Sequence, residues 1–214
     1  MKADYDEKSR DYFGAVKMEV VKALLEDDVG ALLDVGGGDG GTSRYLLEHG
    51  RATSALVLDP HHASEDQPPL AFSRLSADDQ DALKSLTQTF DTVFFLDVLE
   101  HLLDPWETLK SVRHALRDGG RLVVCMPNAR FIALTVPLVV KGRFDYKPAG
   151  IMDRTHLRWF TRATTIELVE GAGFRVDKVT SVLEPRVRLA NSLTLGLFRP
   201  FLDYQYVVQA SKID

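Results

Sequence analysis

The first residues that could do chemistry form a glycine-rich loop. Loop 36–41 (Gly-Gly-Gly-Asp-Gly-Gly) follows a compact apolar run, 31–35. Glycine permits positive φ and lets a backbone approach a ligand closely, and a helix that starts after such a loop turns its N-terminus toward that ligand. Because Gly36, Gly38 and Gly41 also satisfy the dinucleotide fingerprint by spacing, the loop predicts a nucleotide-like ligand without choosing one.

Two acidic residues narrow that choice. Asp34 lies two positions before the first glycine, where a carboxylate suits a cationic group and not a pyrophosphate. Asp59 ends the next apolar run, where an acid can bind both hydroxyls of a ribose. A ligand with an ammonium group and a ribose but no phosphate meets both conditions. S-adenosylmethionine has that composition, and NAD does not.

A second group combines acids with histidines. Asp97, Glu100 and His101 follow the apolar run 91–96, and His156 lies in a polar stretch, 153–162. Histidine titrates near neutral pH and is the usual general base. His156 and His101 are therefore candidate catalytic bases for an acceptor hydroxyl. Each has a structural alternative: His101 could cap a turn, and His156 could make a structural hydrogen bond.

Strands and helices alternate around these residues. The apolar runs 31–35, 54–58, 91–96 and 120–125 predict buried parallel strands, and helical patterns cover 7–25, 42–49, 106–116 and 161–172. Runs 174–183 and 204–211 predict two further strands with no convincing helix between them. We therefore expect an α/β fold with a doubly wound sheet, mostly parallel, closed by an antiparallel C-terminal hairpin.

In this order the motifs resemble those of the class I S-adenosylmethionine-dependent methyltransferases. The resemblance rests on 33–40, Asp59, 90–105, 116–128 and 173–174. Stretches 142–146 (Gly-Arg-Phe-Asp-Tyr) and 153–158 (Asp-Arg-Thr-His-Leu-Arg) are similar to those of small-molecule members in glycan, ubiquinone and methionine pathways.

The resemblance implies one Rossmann-like domain, 1–214, on a seven-stranded sheet. Residues 1–28 would form an N-terminal helical lid carrying Tyr5, Tyr12 and Phe13, and 29–128 the cofactor-binding core. Residues 129–160 would be an acceptor-side insertion, and 161–214 the last helix and hairpin.

The resemblance also implies roles for cofactor-binding residues. Asp34 would meet the methionine ammonium group, Gly36 and Gly38 would pass beneath the methionine moiety, and Asp59 would bind the ribose. Asp78, or next to it Asp79, would contact the adenine amine, although this pair could instead cap a helix. Leu96 and Asp97 would border the sulfonium.

A metal site is the alternative for the acid and histidine group. An acid-x-x-Glu-His run with a later histidine resembles the metal site of the small-RNA 3′-end ribose methyltransferases. A Mg²⁺ or similar ion on Asp97, Glu100, His101 and His156 would hold a diol and acidify one hydroxyl. Because histidine is an unusual ligand for a hard ion, we predict a site without metal.

Composition limits the partners. The chain has 214 residues, with 26 Lys and Arg against 31 Asp and Glu, and the net charge of −5 argues against a broad grip on nucleic acid. Cys125 alone cannot form an internal disulfide. With no signal-like or membrane-spanning run, we expect a cytoplasmic protein with a small-molecule acceptor. The oligomeric state is open, a homodimer included.

Three functions compete. The first is O-methylation of a small molecule such as a sugar, a phenol or another biosynthetic intermediate. The second is a cofactor-binding, methyltransferase-like subunit that acts through a partner enzyme, which an exposed apolar surface on 131–140 or 193–201 would favour. The third, a nicotinamide oxidoreductase, rests on the glycine spacing alone.

Overall fold

The computed structural model describes residues 14–24, 27–87, 89–183 and 196–213. The predicted lid residues Tyr5, Tyr12 and Phe13 lie outside the described residues, as do positions 184–195 between the last two predicted strands. Nothing in the structure therefore tests the lid or the proposed division of the chain.

A single sheet of seven strands organises the chain. The strands are β1 (Gly30–Val35), β2 (Ala52–Leu58), β3 (Leu70–Ser73), β4 (Phe90–Leu96), β5 (Leu116–Pro127), β6 (Phe174–Leu183) and β7 (Asp203–Lys212). Their order is β3-β2-β1-β4-β5-β7-β6, and only β7 runs antiparallel to its neighbours β5 and β6. The predicted architecture, including the antiparallel C-terminal hairpin, is confirmed.

Seven α-helices are described around this sheet. They are α1 (Met18–Ala23), α2 (Gly41–Glu48), α3 (Gln80–Ser85), α4 (Pro105–Val112), α5 (Ile132–Lys141), α6 (Arg162–Gly171) and α7 (Arg199–Leu202). In the described ranges, none is both long and apolar enough to cross a membrane.

The central strands are apolar throughout because both faces of the sheet are covered. Leu33 and Phe95 belong to one hydrophobic cluster, and Leu32 and Phe94, their neighbours in sequence, belong to the other. All four side chains are fully buried. Parallel strands covered on both faces lack polar alternation, which is why these runs were recognisable as strands.

Two predicted boundaries were wrong. Within the predicted helix 7–25, residues 15–17 are not helical, and α1 begins only at Met18. The helix predicted over 106–116 ends at Val112 and passes through a short 3₁₀ turn, so β5 already begins at Leu116. The apolar run 131–140 forms helix α5, which contains Pro137.

The glycine loop provides a stability test. Gly36 has φ +73°, and a Cβ added there would lie 2.5 Å from Cγ2 of Val98, the residue two beyond β4. Gly50 has a similar φ of +66° but no atom within 4 Å of such a Cβ. Gly50→Ala should cost about 1–2 kcal/mol, the usual penalty for a left-handed backbone, and Gly36→Ala should cost clearly more. Urea unfolding of both variants measures this difference, and equal losses would mean that the loop yields around Val98 without cost.

Candidate active site

The candidate site lies where the strand order changes direction. β1 has β2 on one side and β4 on the other, and a ligand crevice is expected at the carboxyl ends of strands that diverge in this way. A cavity of about 260 Å³ opens there. The sequence-predicted residues that line it are Asp34, Gly36, Gly38, Asp59, Asp78, Leu96, Asp97 and His101.

Asp34 presents a buried carboxylate to this cavity. The side chain is 2% exposed, and Oδ2 accepts a 2.6 Å hydrogen bond from Oγ of Ser43 in α2. Oδ1 is buried and accepts no hydrogen bond. Burial raises the pKa of Asp34 from its usual 3.8 to about 6, against the lowering effect of the Ser43 bond and with a further contribution from Asp59. A buried carboxylate oxygen in this state calls for a cationic hydrogen-bond donor.

Asp59 ties the glycine loop to the end of β2. Oδ2 accepts a hydrogen bond from the backbone N–H of Gly38 at 3.0 Å, and Oδ1 accepts one from the N–H of His61 at 2.8 Å. A carboxylate oxygen has two lone pairs, so each can accept one more donor from the cavity. This arrangement suits the two neighbouring hydroxyls of a ribose.

The two adjacent acids after β3 separate in space. Asp78 lines the cavity, and its Oδ1 accepts from the backbone N–H of Leu103. Asp79 is not among the lining residues, and its carboxylate accepts from the N–H of Ala82 as the N-cap of α3. Of the two residues predicted near adenine, the structure favours Asp78, because the side chain of Asp79 is used in capping.

Asp97 follows β4 with an unusual backbone. Its φ of 59° makes it the one non-glycine residue with positive φ in the described part of the chain. Oδ2 lies 2.5 Å from Nζ of Lys17, and Oδ1 accepts from Nε2 of Gln205 at 2.6 Å. Lys17 also lines the cavity. Sequence reasoning found Asp97 but missed Lys17 and Gln205, which lie 80 and 108 positions away.

The two histidines lie side by side, but only one reaches the cavity. Their ring centroids are 4.7 Å apart in an edge-to-face arrangement. His101 lines the cavity, whereas His156, 8% exposed, is absent from the lining. His156 is therefore not placed to meet an acceptor in the cavity directly. Sequence spacing alone could not show which of the two histidines lines the cavity.

Backbone carbonyls fix the tautomer of both rings. Nδ1 of His101 lies 3.1 Å from the carbonyl oxygen of Thr155, and Nδ1 of His156 lies 3.0 Å from that of Ile151. Because a carbonyl oxygen can only accept, each Nδ1 must carry the proton. In the neutral rings the lone pair is therefore on Nε2, the nitrogen that can accept a proton or ligate a metal.

Glu100 completes this cluster. Its side chain is 1% exposed, and Oε1 lies 3.9 Å from Nε2 of His156. Ligand atoms of Glu100, His101 and His156 all lie within 4.8 Å of one another. Asp97 is outside this group, since Lys17 and Gln205 hold its carboxylate. The structure thus brings together three of the four residues predicted for the alternative metal site.

These features fit S-adenosylmethionine better than a dinucleotide. The unpaired Oδ1 of Asp34 matches an ammonium group and would repel a pyrophosphate. A Cβ on Gly37 would come within 2.6 Å of the Asp34 carboxylate, so the loop leaves space only for backbone beside it. The carboxylate of Asp59, which also lines the cavity, matches ribose hydroxyls.

Comparison with known proteins agrees with this geometry. A family model described as a methyltransferase domain matches residues 8–179. The tRNA 5-carboxymethoxyuridine methyltransferase of Escherichia coli K12 is 29% identical over 163 residues, covering 67% of this chain and 61% of that protein. The ubiquinone biosynthesis O-methyltransferase of Coxiella burnetii strain RSA 331 is 25% identical over 159 residues, covering 71% of this chain and 66% of the relative. The chain thus spans less than two thirds of either relative.

A solved structure shares the fold. The methyltransferase in complex with the Trm112 methyltransferase activator of Haloferax volcanii superposes with a TM-score of 0.65 at 15% identity, covering 100% of this chain and 95% of its own. At this identity, the likeness concerns the fold alone.

If Asp34 binds the ammonium group of the cofactor, its raised pKa should make cofactor affinity depend on pH. The carboxylate must be ionised to bind an ammonium group, and with a pKa of about 6 roughly one tenth is ionised at pH 5. The affinity for S-adenosylhomocysteine, measured by isothermal titration, should therefore be about tenfold weaker at pH 5 than at pH 7.5. Asp34→Asn should bind weakly with no such dependence. An unchanged pH profile in that variant would show that Asp34 is not the group responsible for the dependence.

Asp59 and Asp79 form a matched pair for a binding test. If Asp59 binds the ribose, Asp59→Ala should weaken S-adenosylhomocysteine binding about tenfold to a hundredfold, because charge-assisted hydrogen bonds are lost. Asp79→Ala should leave affinity unchanged and cost about 1 kcal/mol of stability through the lost helix cap. Isothermal titration and urea unfolding separate the two effects, and equal affinities in both variants would remove Asp59 from the binding site.

Proposed function

Since the chain belongs to the class I S-adenosylmethionine-dependent methyltransferases, we propose that it methylates a hydroxyl group of a small biosynthetic intermediate, such as a sugar or a phenol, with His101 as general base. The observation that carries this proposal is the position of His101, at the cavity wall beside the residues suited to the cofactor. S-adenosylmethionine, when bound, supplies an electrophilic methyl group on its sulfonium and, after the methyl group passes to the hydroxyl oxygen, would leave as S-adenosylhomocysteine.

The chain's own residues would bind and align the reactants. Asp34 would hold the ammonium group and Asp59 the ribose, and both residues line the cavity. Leu96, the last residue of β4, is largely buried and lines the same cavity, where it would exclude water. Alignment of this kind supplies much of the rate in a group transfer.

His101 would remove the hydroxyl proton. The bond from Nδ1 to the carbonyl of Thr155 orients the ring and keeps the lone pair on Nε2, where the proton is received. His156 and Glu100 would act as positioning residues. His156 packs edge-on against His101, and ligand atoms of Glu100 and His101 lie within 4.8 Å of one another. A negative charge on Glu100 would favour the imidazolium formed when the proton arrives at His101.

The acceptor class has indirect support. One relative is named a ubiquinone biosynthesis O-methyltransferase, and another acts on tRNA by its name. A net charge of −5 favours the small molecule over a polyanion. A cofactor-binding subunit acting through a partner enzyme is the second candidate, favoured by the exposed apolar residues of α5.

The first experiment identifies the acceptor. Purified protein with isotope-labelled S-adenosylmethionine is added to an extract of the source organism, and products are detected by mass spectrometry. A labelled small molecule supports the proposal. Label in RNA alone would contradict it, and label that appears only with a co-purifying enzyme would favour the second candidate.

The histidine pair is tested by substitution. His101→Ala should lower turnover about 10²- to 10⁴-fold while S-adenosylhomocysteine binding is kept. His156→Ala should cost less and should shift the pH profile of turnover, because it acts through His101. His114→Ala, an exposed histidine outside the cavity lining, is the matched control.

A chelator separates the base from the metal alternative. With His101 as base, EDTA should leave turnover unchanged. If an ion is held by Glu100, His101 and His156, EDTA should abolish turnover and Mg²⁺ or Mn²⁺ should restore it. If His101→Ala costs little and EDTA has no effect, the proton is lost to water and alignment alone carries the reaction.

A further inference from the structure

Helix α5 has apolar residues on two opposite faces. Leu134 is buried against Phe131, Ile151 and Met152, which anchors one face to the protein. Ile132, Val136, Val139 and Val140 follow at spacings i, i+4, i+7 and i+8, so they share the opposite face. All four are exposed, Val139 at 82% and Val140 at 73%. We call these four residues the outer stripe.

The outer stripe is the reverse of what a surface helix ordinarily presents. Such a helix turns apolar residues inward and polar residues toward water. Here a stripe about 100° wide, made of branched aliphatic side chains, points away from the core. Phe144 and Tyr146, just beyond the helix, are exposed as well. A contiguous exposed apolar surface of this kind is typical of a site that binds another protein or a membrane.

The segment that contains α5 carries a net positive charge, unlike the rest of the chain. Residues 129–162 contain seven Lys and Arg and two Asp, a net charge of +5 within a chain of net −5, so the other residues together carry −10. Four of the cations, Lys141, Arg143, Lys147 and Arg154, are exposed. Arg143 is paired with Asp145, while the segment as a whole is strongly cationic.

We propose that α5 and the following residues 141–147 dock onto the surface of a bilayer that contains anionic phospholipid. The outer stripe would enter the boundary between headgroups and acyl chains, and the flanking cations would meet the anionic headgroups. With 10 residues, α5 is about 15 Å long and lies in such a boundary without spanning it.

The stripe's chemistry favours lipid over other occupants. Protein interfaces carry regular hydrogen bonds, whereas the outer stripe consists of Val and Ile side chains without hydrogen-bonding groups. RNA would use the cations but offers nothing to an aliphatic stripe. Acyl chains and anionic headgroups together use both features.

Docking would bring the acceptor side of the cavity to the bilayer. α5 follows the carboxyl end of β5, the same sheet edge that carries the cavity. Leu134 packs in one cluster with Ile151, whose carbonyl accepts from Nδ1 of His156. The docking surface is argued from exposure and charge and does not depend on methyl transfer.

Vesicle sedimentation tests this inference. The intact protein is mixed with vesicles of phosphatidylcholine alone or with added phosphatidylglycerol. We expect binding to the mixed vesicles that weakens with salt. Val139→Ser with Val140→Ser should reduce that binding about tenfold or more. Lys141→Gln with Lys147→Gln should reduce it about 25-fold, since each cation near an anionic surface contributes about fivefold.

Matched controls keep the outcome interpretable. Ile213→Ser removes an exposed apolar side chain at the end of β7 remote from the cavity and should leave vesicle binding unchanged. S-adenosylhomocysteine titration and melting temperature show that each variant is folded, independently of turnover. No sedimentation with the mixed vesicles, or sedimentation that survives Val139→Ser with Val140→Ser, would overturn the proposal. The proposal would also be overturned if the protein self-associates and Val139→Ser with Val140→Ser abolishes that self-association. Binding to tRNA without binding to vesicles would overturn it too.

Discussion

The carboxylate of Asp97 joins three parts of the chain that are far apart in sequence. Lys17, from the segment before β1, and Gln205, on β7, both bond to it at the end of β4. The backbone of Asp97 has positive φ, which costs about 1–2 kcal/mol for a residue with a Cβ. Two charge-assisted hydrogen bonds offset that cost and hold the turn in place. Because this turn leads directly into residues 99–101, the positions of Glu100 and His101 depend on it.

The candidate site contains buried carboxylates at positions where apolar side chains would make the core more stable. Asp34, the last residue but one of β1, and Glu100, in the turn after β4, are almost fully buried carboxylates. Burial of an ionised group is costly unless a partner compensates, and Asp34 has one hydrogen-bond donor for two oxygens. Such departures from an apolar core are typical of functional sites, where a ligand supplies the missing interaction.

Sequence reasoning recovered what depends on local pattern. The strands were recognisable because parallel strands buried on both faces are continuously apolar, and Asp34 and Asp59 because they end such strands. The sequence did not show which of two similar residues lines the cavity and which lies behind it. Asp78 and Asp79 are neighbours of the same type, yet one lines the cavity and the other caps α3. His101 and His156 look equivalent as bases, and only the packing of 155–158 on the turn at Glu100 shows which one reaches the cavity. Lys17 had no signal at all, since nothing local links it to Asp97.

Residues 151–158 are in contact both with α5 and with the histidine pair. The carbonyl of Glu100 accepts hydrogen bonds from the backbone N–H groups of Leu157 and Arg158, which fixes the polar loop to the turn after β4. The carbonyl of Ile151 accepts from both His156 and Trp159, and the Ile151 side chain packs with Leu134 of α5. A series of contacts thus leads from α5 through Ile151 to His156, and from His156 to the ring of His101 against which it packs. Because few contacts separate α5 from His101, the candidate base, we expect that a partner bound to α5 would alter the orientation of His101 as well as access to it.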